Sequence, residues 1–269
     1  MNFQTAFPSQ ALAPFIKKYW ALENCLPAGE KHMQRIVPSG LPELIFYFEH
    51  RPKTIGNKKS IPENTCISGQ QKEFYDLEIS GKLSLFSILF QPHGAALFFD
   101  IPINELFAQN VPLKFIVKSE ASELESKLSE ADSFQKKVSV AEKFLFARLA
   151  QNYKPFEFNR INFCLSEINR SKGLVSPERL SALACLSRKQ FERNFSAFMG
   201  TSPRQFLKTV RFQNALHTKF RQKSMSLAQL AFDCGYYDQS HMINDFKSLS
   251  GFTPGQYFSE CEPYSDYFE

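Results

Sequence analysis

Phe195-Ser-Ala-Phe-Met-Gly200-Thr-Ser202-Pro203-Arg-Gln205-Phe206 returns 51 positions later as Phe246-Lys-Ser-Leu-Ser-Gly251-Phe-Thr253-Pro254-Gly-Gln256-Tyr257. Both copies read Phe-x4-Gly-x-(Ser/Thr)-Pro-x-Gln-aromatic. A unit repeated at this length marks a duplicated supersecondary element, and the residues before each copy say which one. Ser176-Pro177 is a helix start, with a side-chain acceptor at the N-cap and proline at the first helical position. That helix lasts about two turns, with Leu180, Leu183 and Ala184 inward, until Cys185-Leu186 breaks it. Ser187 with Gln190 is a capping box opening a second helix, along which Phe191, Phe195 and Phe198 recur at helical spacing. Two short helices joined by a tight turn make a helix-turn-helix.

The second copy follows the same plan. Ser226 and Gln229 read as a capping box, and Leu227, Leu230 and Ala231 as the apolar face. Gly235-Tyr236 turns the chain, and Asp238 caps a helix carrying Met242, Phe246 and Leu249. Leu180 aligns with Leu230 at an offset of 50, so one residue is inserted in the second turn. Ser202/Gln205 and Thr253/Gln256 cap the helices that follow. Residues 160–172 and 203–221 are then scaffold and spacer helices around two reading heads. Asn159 is the expected cap of the first, and Lys154–Asn159 the expected hinge before it.

Gly235-Tyr-Tyr-Asp-Gln-Ser-His-Met-Ile-Asn-Asp-Phe-Lys247, continued by Gly251-Phe-Thr-Pro254 and Tyr257, resembles the signature of the AraC-type transcription regulators. The first unit resembles the same family's first reading head, and the resemblance covers roughly residues 160–258. It implies duplex DNA as the partner. In the first head Arg188, Lys189, Glu192 and Arg193 lie outward, and the family match places base contacts at Lys189 and Arg193, with Glu192 available. In the second, Gln239, Ser240, His241 and Asn244 face out. Arg and Lys favour guanine, Gln and Asn suit adenine, and Glu accepts from cytosine N4. Lys247 is expected at a phosphate, as are the helix N-termini opened by Ser187 and Asp238. The family commonly has Phe at Met242 and a basic residue at Asn244, while Asp245 adds a negative charge. The first head is therefore expected to supply more of the affinity.

Charge agrees with this reading. Residues 160–258 hold 14 Lys and Arg against 6 Asp and Glu, residues 1–159 hold 18 against 17, and the tail 259–269 holds four acids and no base. The basic excess falls on the duplicated region, where a phosphate-binding surface needs it.

The rest of the chain reads differently. Ten of the fifteen prolines lie within residues 1–115, beside strand-like runs at Leu44–Phe48 and Leu83–Phe90. Pro14–Trp20 reads as a short helix, and a helix is expected at Gly94–Phe99. The stretches Val37–Phe46 and Phe90–Pro102 loosely resemble the cupin-related sensor domain of some AraC-type regulators. Leu124, Leu128, Phe134, Val138, Ala141, Leu145 and Leu149 form amphipathic helices interrupted at Asp132-Ser133. These could pack on the chain's own core or pair between subunits. The expected class is α+β: a β-rich domain (1–115), a helical connector and hinge (116–158), an all-α double helix-turn-helix domain (159–258) and an acidic tail.

Catalytic signatures are missing: there is no G-x-S-x-G, phosphate loop or H-E-x-x-H. His32, His50 and His93 stand at no metal-ligating spacing, so neither metal nor cofactor is expected. A nucleophilic Cys25 or Cys66 would need an activating base or zinc cluster. The six cysteines form no C-x-x-C and read as buried free thiols in a reducing compartment. No apolar run reaches the roughly 20 residues of a membrane span, and no leader is visible, so a cytoplasmic protein is expected. The 29 phenylalanines read as core filling. The expected function is a sequence-specific regulator responsive to a small-molecule effector of unknown identity. An effector-independent regulator, an architectural DNA-binding protein and a cupin-like enzyme on a DNA anchor stay open. So do RNA polymerase and a second copy of the chain as partners.

Overall fold

The computed structural model describes residues 1–56, 60–152, 155–261 and 265–268. A six-stranded sheet has the order β1-β2-β8-β4-β6-β9, formed by Asn2–Ala6, Ile16–Cys25, Lys82–Phe90, Glu43–Tyr47, Thr65–Ser68 and Asn110–Pro112. The second sheet has three strands ordered β3-β7-β5, formed by Lys31–Ile36, Tyr75–Ser80 and Lys53–Ile55. All pairings are antiparallel. The two sequence-read strands are β4 and β8, whose apolar runs make them central. Gly94–Leu97 is a 3₁₀ turn, as is Ile103–Leu106.

Pro14–Trp20 is not a helix. Ile16–Cys25 is a ten-residue strand paired on both sides, with Tyr19 against Ile88 and Trp20 against Thr5. Isolated apolar positions at 15, 16 and 19 suit either periodicity. The neighbouring β8 decides it, by burying Ile16 and Tyr19 on the core face.

Helices α1 (Lys114–Val117), α2 (Ser119–Glu130) and α3 (Phe134–Asn152) cover the six-stranded sheet. Leu124, Leu128, Phe134, Ala141 and Leu145 share one core with Tyr19, Phe46, Phe86 and Phe90. The connector's apolar stripe is thus spent on the chain's own core, and the break at Asp132-Ser133 stands where the two helices separate.

The C-terminal half is helical throughout. In chain order α4 (Pro155–Arg170), α5 (Pro177–Leu183) and α6 (Arg188–Met199) lead to the long α7 (Pro203–Arg221). Then come α8 (Leu227–Asp233), α9 (Gln239–Ser250) and α10 (Pro254–Glu260). Asn159 is not the cap of α4, because the helix starts four residues earlier at Pro155, a favoured first position. Of the expected hinge, residues 153 and 154 lie outside the described residues, and 155–158 belong to this helix.

The acidic tail is not a free appendage. Lys18 pairs with Asp266 at 2.8 Å, and Lys17 Nζ donates to the Tyr267 carbonyl. The buried Tyr267 ring meets Phe206 at 6.0 Å while its hydroxyl bonds Asn169 Oδ1 at 2.6 Å. Asp266 and Tyr267 therefore wedge between strand β2 and the first helix-turn-helix. Among the cysteines, 66, 164 and 234 are buried, and burial pushes the Cys164 and Cys234 thiols up to about 11. Cys25 and Cys185 are exposed, against expectation. Among the described residues no helix is long and apolar enough to cross a membrane.

Candidate nucleic-acid interface

Two helix-turn-helix units form around α7. The first buries Leu180, Ala184, Phe191, Phe195 and Met199 against Phe206, Leu207 and Val210. The second buries Leu230, Ala231, Met242, Phe246 and Leu249 against Phe212, Ala215 and Leu216. One continuous helix of 19 residues is thus shared by both cores, its N-terminal half serving one head and its middle the other.

Helix α6 starts as its sequence demands. Ser187 Oγ accepts from Gln190 N at 3.3 Å while Gln190 Oε1 accepts from Ser187 N, a complete capping box. The α9 cap is Asp238 Oδ1, which accepts from His241 N at 2.7 Å. At α8 only the Ser226 half forms, accepting from Gln229 N, because the Gln229 amide turns to Asp233. The turns rely on left-handed backbone at equivalent places, Cys185 (φ 52°) in the first and Gly235 (φ 68°) in the second. A non-glycine residue in that conformation costs about 1–2 kcal/mol.

Arg188, Lys189, Glu192 and Arg193 are all exposed on the free face of α6. Arg188 is tied to Glu178 at 3.2 Å and to Glu192 at 3.1 Å. Lys189 and Arg193 have no ion pair among the described residues, so their charge is available to a ligand. On α9, Gln239, Ser240, Asn244 and Lys247 are exposed. His241 is half-buried: its Nδ1 accepts from Tyr237 N at 3.5 Å, and its Nε2 lies 3.9 Å from Asp245. That ring braces the turn as much as it faces outward.

Asp245 corrects the sequence reading. Its side chain is 9 % exposed and lies between Lys208 (3.3 Å) and Arg211 (3.7 Å) of α7. The negative charge therefore does not oppose a phosphate. It points inward and fastens α9 to α7, a tertiary role invisible in the helix's own sequence.

The β-rich domain grips the C-terminal ends of α6 and α9. Gly200 and Gly251 close α6 and α9 in the left-handed conformation, at φ 77° and 78°. A Cβ at Gly200 would stand 2.9 Å from Ile103 Cγ2, and one at Gly251 2.6 Å from Phe74 Cζ. The repeat's glycine thus meets two demands, helix termination and close approach of the neighbouring domain. Arg35 of β3 anchors the second contact. Its guanidinium lies 4.4 Å from the Phe74 ring centre and 4.3 Å from that of Phe252, and it holds both Asp76 oxygens at 2.7 and 2.8 Å. It also donates to the Ser250 carbonyl at the C-terminus of α9, where a cation is favoured by the helix dipole. Gln213 Nε2 donates to the Pro38 carbonyl at 2.7 Å.

Residues 180–260 match the family described as a helix-turn-helix domain, and residues 4–112 match a domain of unknown function. An uncharacterized HTH-type transcriptional regulator of Haemophilus influenzae is 36 % identical over 80 residues, 30 % of this chain and 26 % of that one. The chain therefore spans about a quarter of that relative's length. The HTH-type transcriptional activator RhaS of Mannheimia succiniciproducens is 21 % identical over 199 residues, 69 % of this chain and 74 % of that one. Among solved structures, ToxT from Vibrio cholerae aligns over 96 % of this chain and 98 % of its own, at 11 % identity and a TM-score of 0.47.

Proposed function

We propose that this chain, whose C-terminal domain is an AraC-type pair of helix-turn-helix units, is a sequence-specific transcription regulator that reads two adjacent major grooves of duplex DNA. The carrying observation is the pair of capped recognition helices set on one rigid helix, each with its outer face exposed. At 1.5 Å per residue α7 is about 28 Å long. Successive major grooves on one DNA face are about 34 Å apart, so heads seated along such a helix suit neighbouring grooves.

In this reading Lys189 and Arg193 contact bases from the first head, with Arg188 and Glu192 beside them. Gln239, Ser240, His241 and Asn244 serve the second head. Lys247 and the helix starts at Ser187 and Asp238 meet phosphates. Residues 1–115, completed by α1–α3, form the sensor, and a small-molecule effector there would act on the heads through Ile103, Phe74 and Arg35, which hold the recognition-helix C-termini. The domain beginning at α4 binds DNA, and the tail locks the two halves together. Its regulator relatives support a binding role, not a catalytic one, in the compartment where the DNA lies.

The test is selection of binding sites from a random duplex library. Two unlike boxes one helical turn apart are expected, and inserting five base pairs between them should abolish tight binding. Arg193→Ala should cost about 1–3 kcal/mol and relax one base position. Lys247→Ala should weaken all sequences alike and reduce the salt slope by about one. Unchanged affinity after the insertion would show that a single head binds.

A further inference from the structure

The second head carries two exposed aromatic side chains that its sister lacks. Backbone bonds locate the inserted residue of the duplicated unit. Leu186 N donates to Ser181 O in the first turn, and Tyr236 N donates to Ala231 O in the second, both at an offset of 50. The left-handed residues Cys185 and Gly235 keep that offset. The helix caps Ser187 and Asp238 stand 51 apart. The extra residue is therefore Tyr237. It is 94 % exposed, and Phe232, on the last turn of α8, is 80 % exposed. Ala182 occupies the position of Phe232 in the first unit. Phe232 and Tyr237 thus bracket the second turn, directly before Asp238 and Gln239, and the Tyr237 amide is pinned by His241 Nδ1.

Charge makes this arrangement pointed. The first six residues of α9, Gln239 to Asn244, include no Lys or Arg, whereas α6 presents Arg188, Lys189 and Arg193. We propose that Phe232 and Tyr237 are DNA-contacting residues that lay their rings on deoxyribose and thymine C5-methyl groups at the edge of the second box. The second head would then hold DNA by apolar contact where the first uses cations. Thymine methyls are the apolar marks that the major groove offers, and burying an exposed ring against them removes apolar area from water. The inference rests on the DNA-binding reading above and extends it to two residues outside the recognition helices.

The test uses the full-length protein and a duplex that it selects from a random library, with affinity measured by fluorescence anisotropy over a range of salt. Tyr237→Ala and Phe232→Ala should each weaken binding at least five-fold with an unchanged salt slope and an unchanged melting temperature of the free protein. Tyr237→Phe should bind like the parent. Uracil in place of thymine in the second box should weaken the parent several-fold and leave the two alanine variants indifferent. Parental affinity in both alanine variants overturns the proposal while leaving the regulator reading intact, whether or not those variants lose transcriptional activity to a protein partner. A loss in Tyr237→Phe as large as in Tyr237→Ala also overturns it, since the hydroxyl would then carry the contact. A parent protein that selects no site refutes the DNA-binding reading itself.

Discussion

Replacing Arg35 with alanine should loosen the second helix-turn-helix unit from the β-rich domain. The side chain is about one quarter exposed, as is Asp76, with which it forms two short charge-assisted hydrogen bonds. Hydrogen bonds to charged groups contribute about 1.5–3 kcal/mol, and discounting for solvent screening at this exposure leaves about 1–2 kcal/mol. The two ring contacts with Phe74 and Phe252 add about 0.5–1 kcal/mol each. The total is about 2–4 kcal/mol, allowing for overlap among groups that act together. For a chain of this size that lowers the melting temperature by roughly 4–7 °C. Because Arg35 and Phe252 lie on different domains, a double-mutant cycle with Phe252→Ala isolates the link. We expect a coupling of about 1 kcal/mol by denaturant unfolding. Costs that add within about 0.5 kcal/mol would mean the two residues do not act together, and the docking account would fall.

Asp245→Ala should destabilise the second head by about 1–3 kcal/mol, since it leaves the half-buried Lys208 and Arg211 without their shared anion; thermal unfolding checks this, and a gain in DNA affinity without loss of stability would contradict it. Asn244→Arg should tighten binding to selected sites and steepen the salt dependence, because position 244 is exposed beside the proposed base readers; an unchanged salt slope in anisotropy titrations would count against a groove-facing Asn244. Acid should loosen the junction between the β-rich domain and α4. His93 is buried with its ring stacked on Phe158 of α4 at 4.6 Å, and burial pushes its imidazole down to about 4 from an unfolded value of about 6.5. Between those values the unfolded chain binds the extra proton, so this stabilising contribution, about 3 kcal/mol at its fullest, is complete above pH 6.5 and fades as pH falls towards 4. Unfolding of His93→Gln should lack that slope; an identical slope in the variant would place the proton elsewhere.

Local signals in the chain were enough to define the helical C-terminal half. Proline at a first helical position, serine, threonine or aspartate at a cap, glycine at a helix end and apolar residues three or four apart are interactions within a few residues of one another. They therefore read the same in the sequence as in the folded chain, and α5–α10 stand close to where they were expected. The outward faces of α6 and α9 were legible for the same reason, as the complement of their apolar stripes. Long-range partners decided the remainder. Residues 16–20 form a strand because β8 lies alongside them, and Asp245 is a buried anchor because α7 brings Lys208 and Arg211 to it. Asp266 and Tyr267 dock because Lys18 and Asn169, both distant in sequence, meet at the same crevice. Gly200 and Gly251 stood in the sequence as the fixed glycine of the repeat, but that each closes its helix while admitting Ile103 or Phe74 shows only where another domain arrives. A residue's spacing along the chain determines which face of its own helix it occupies. What that face meets depends on contacts separated by tens to hundreds of residues, and these exist only in the assembled structure.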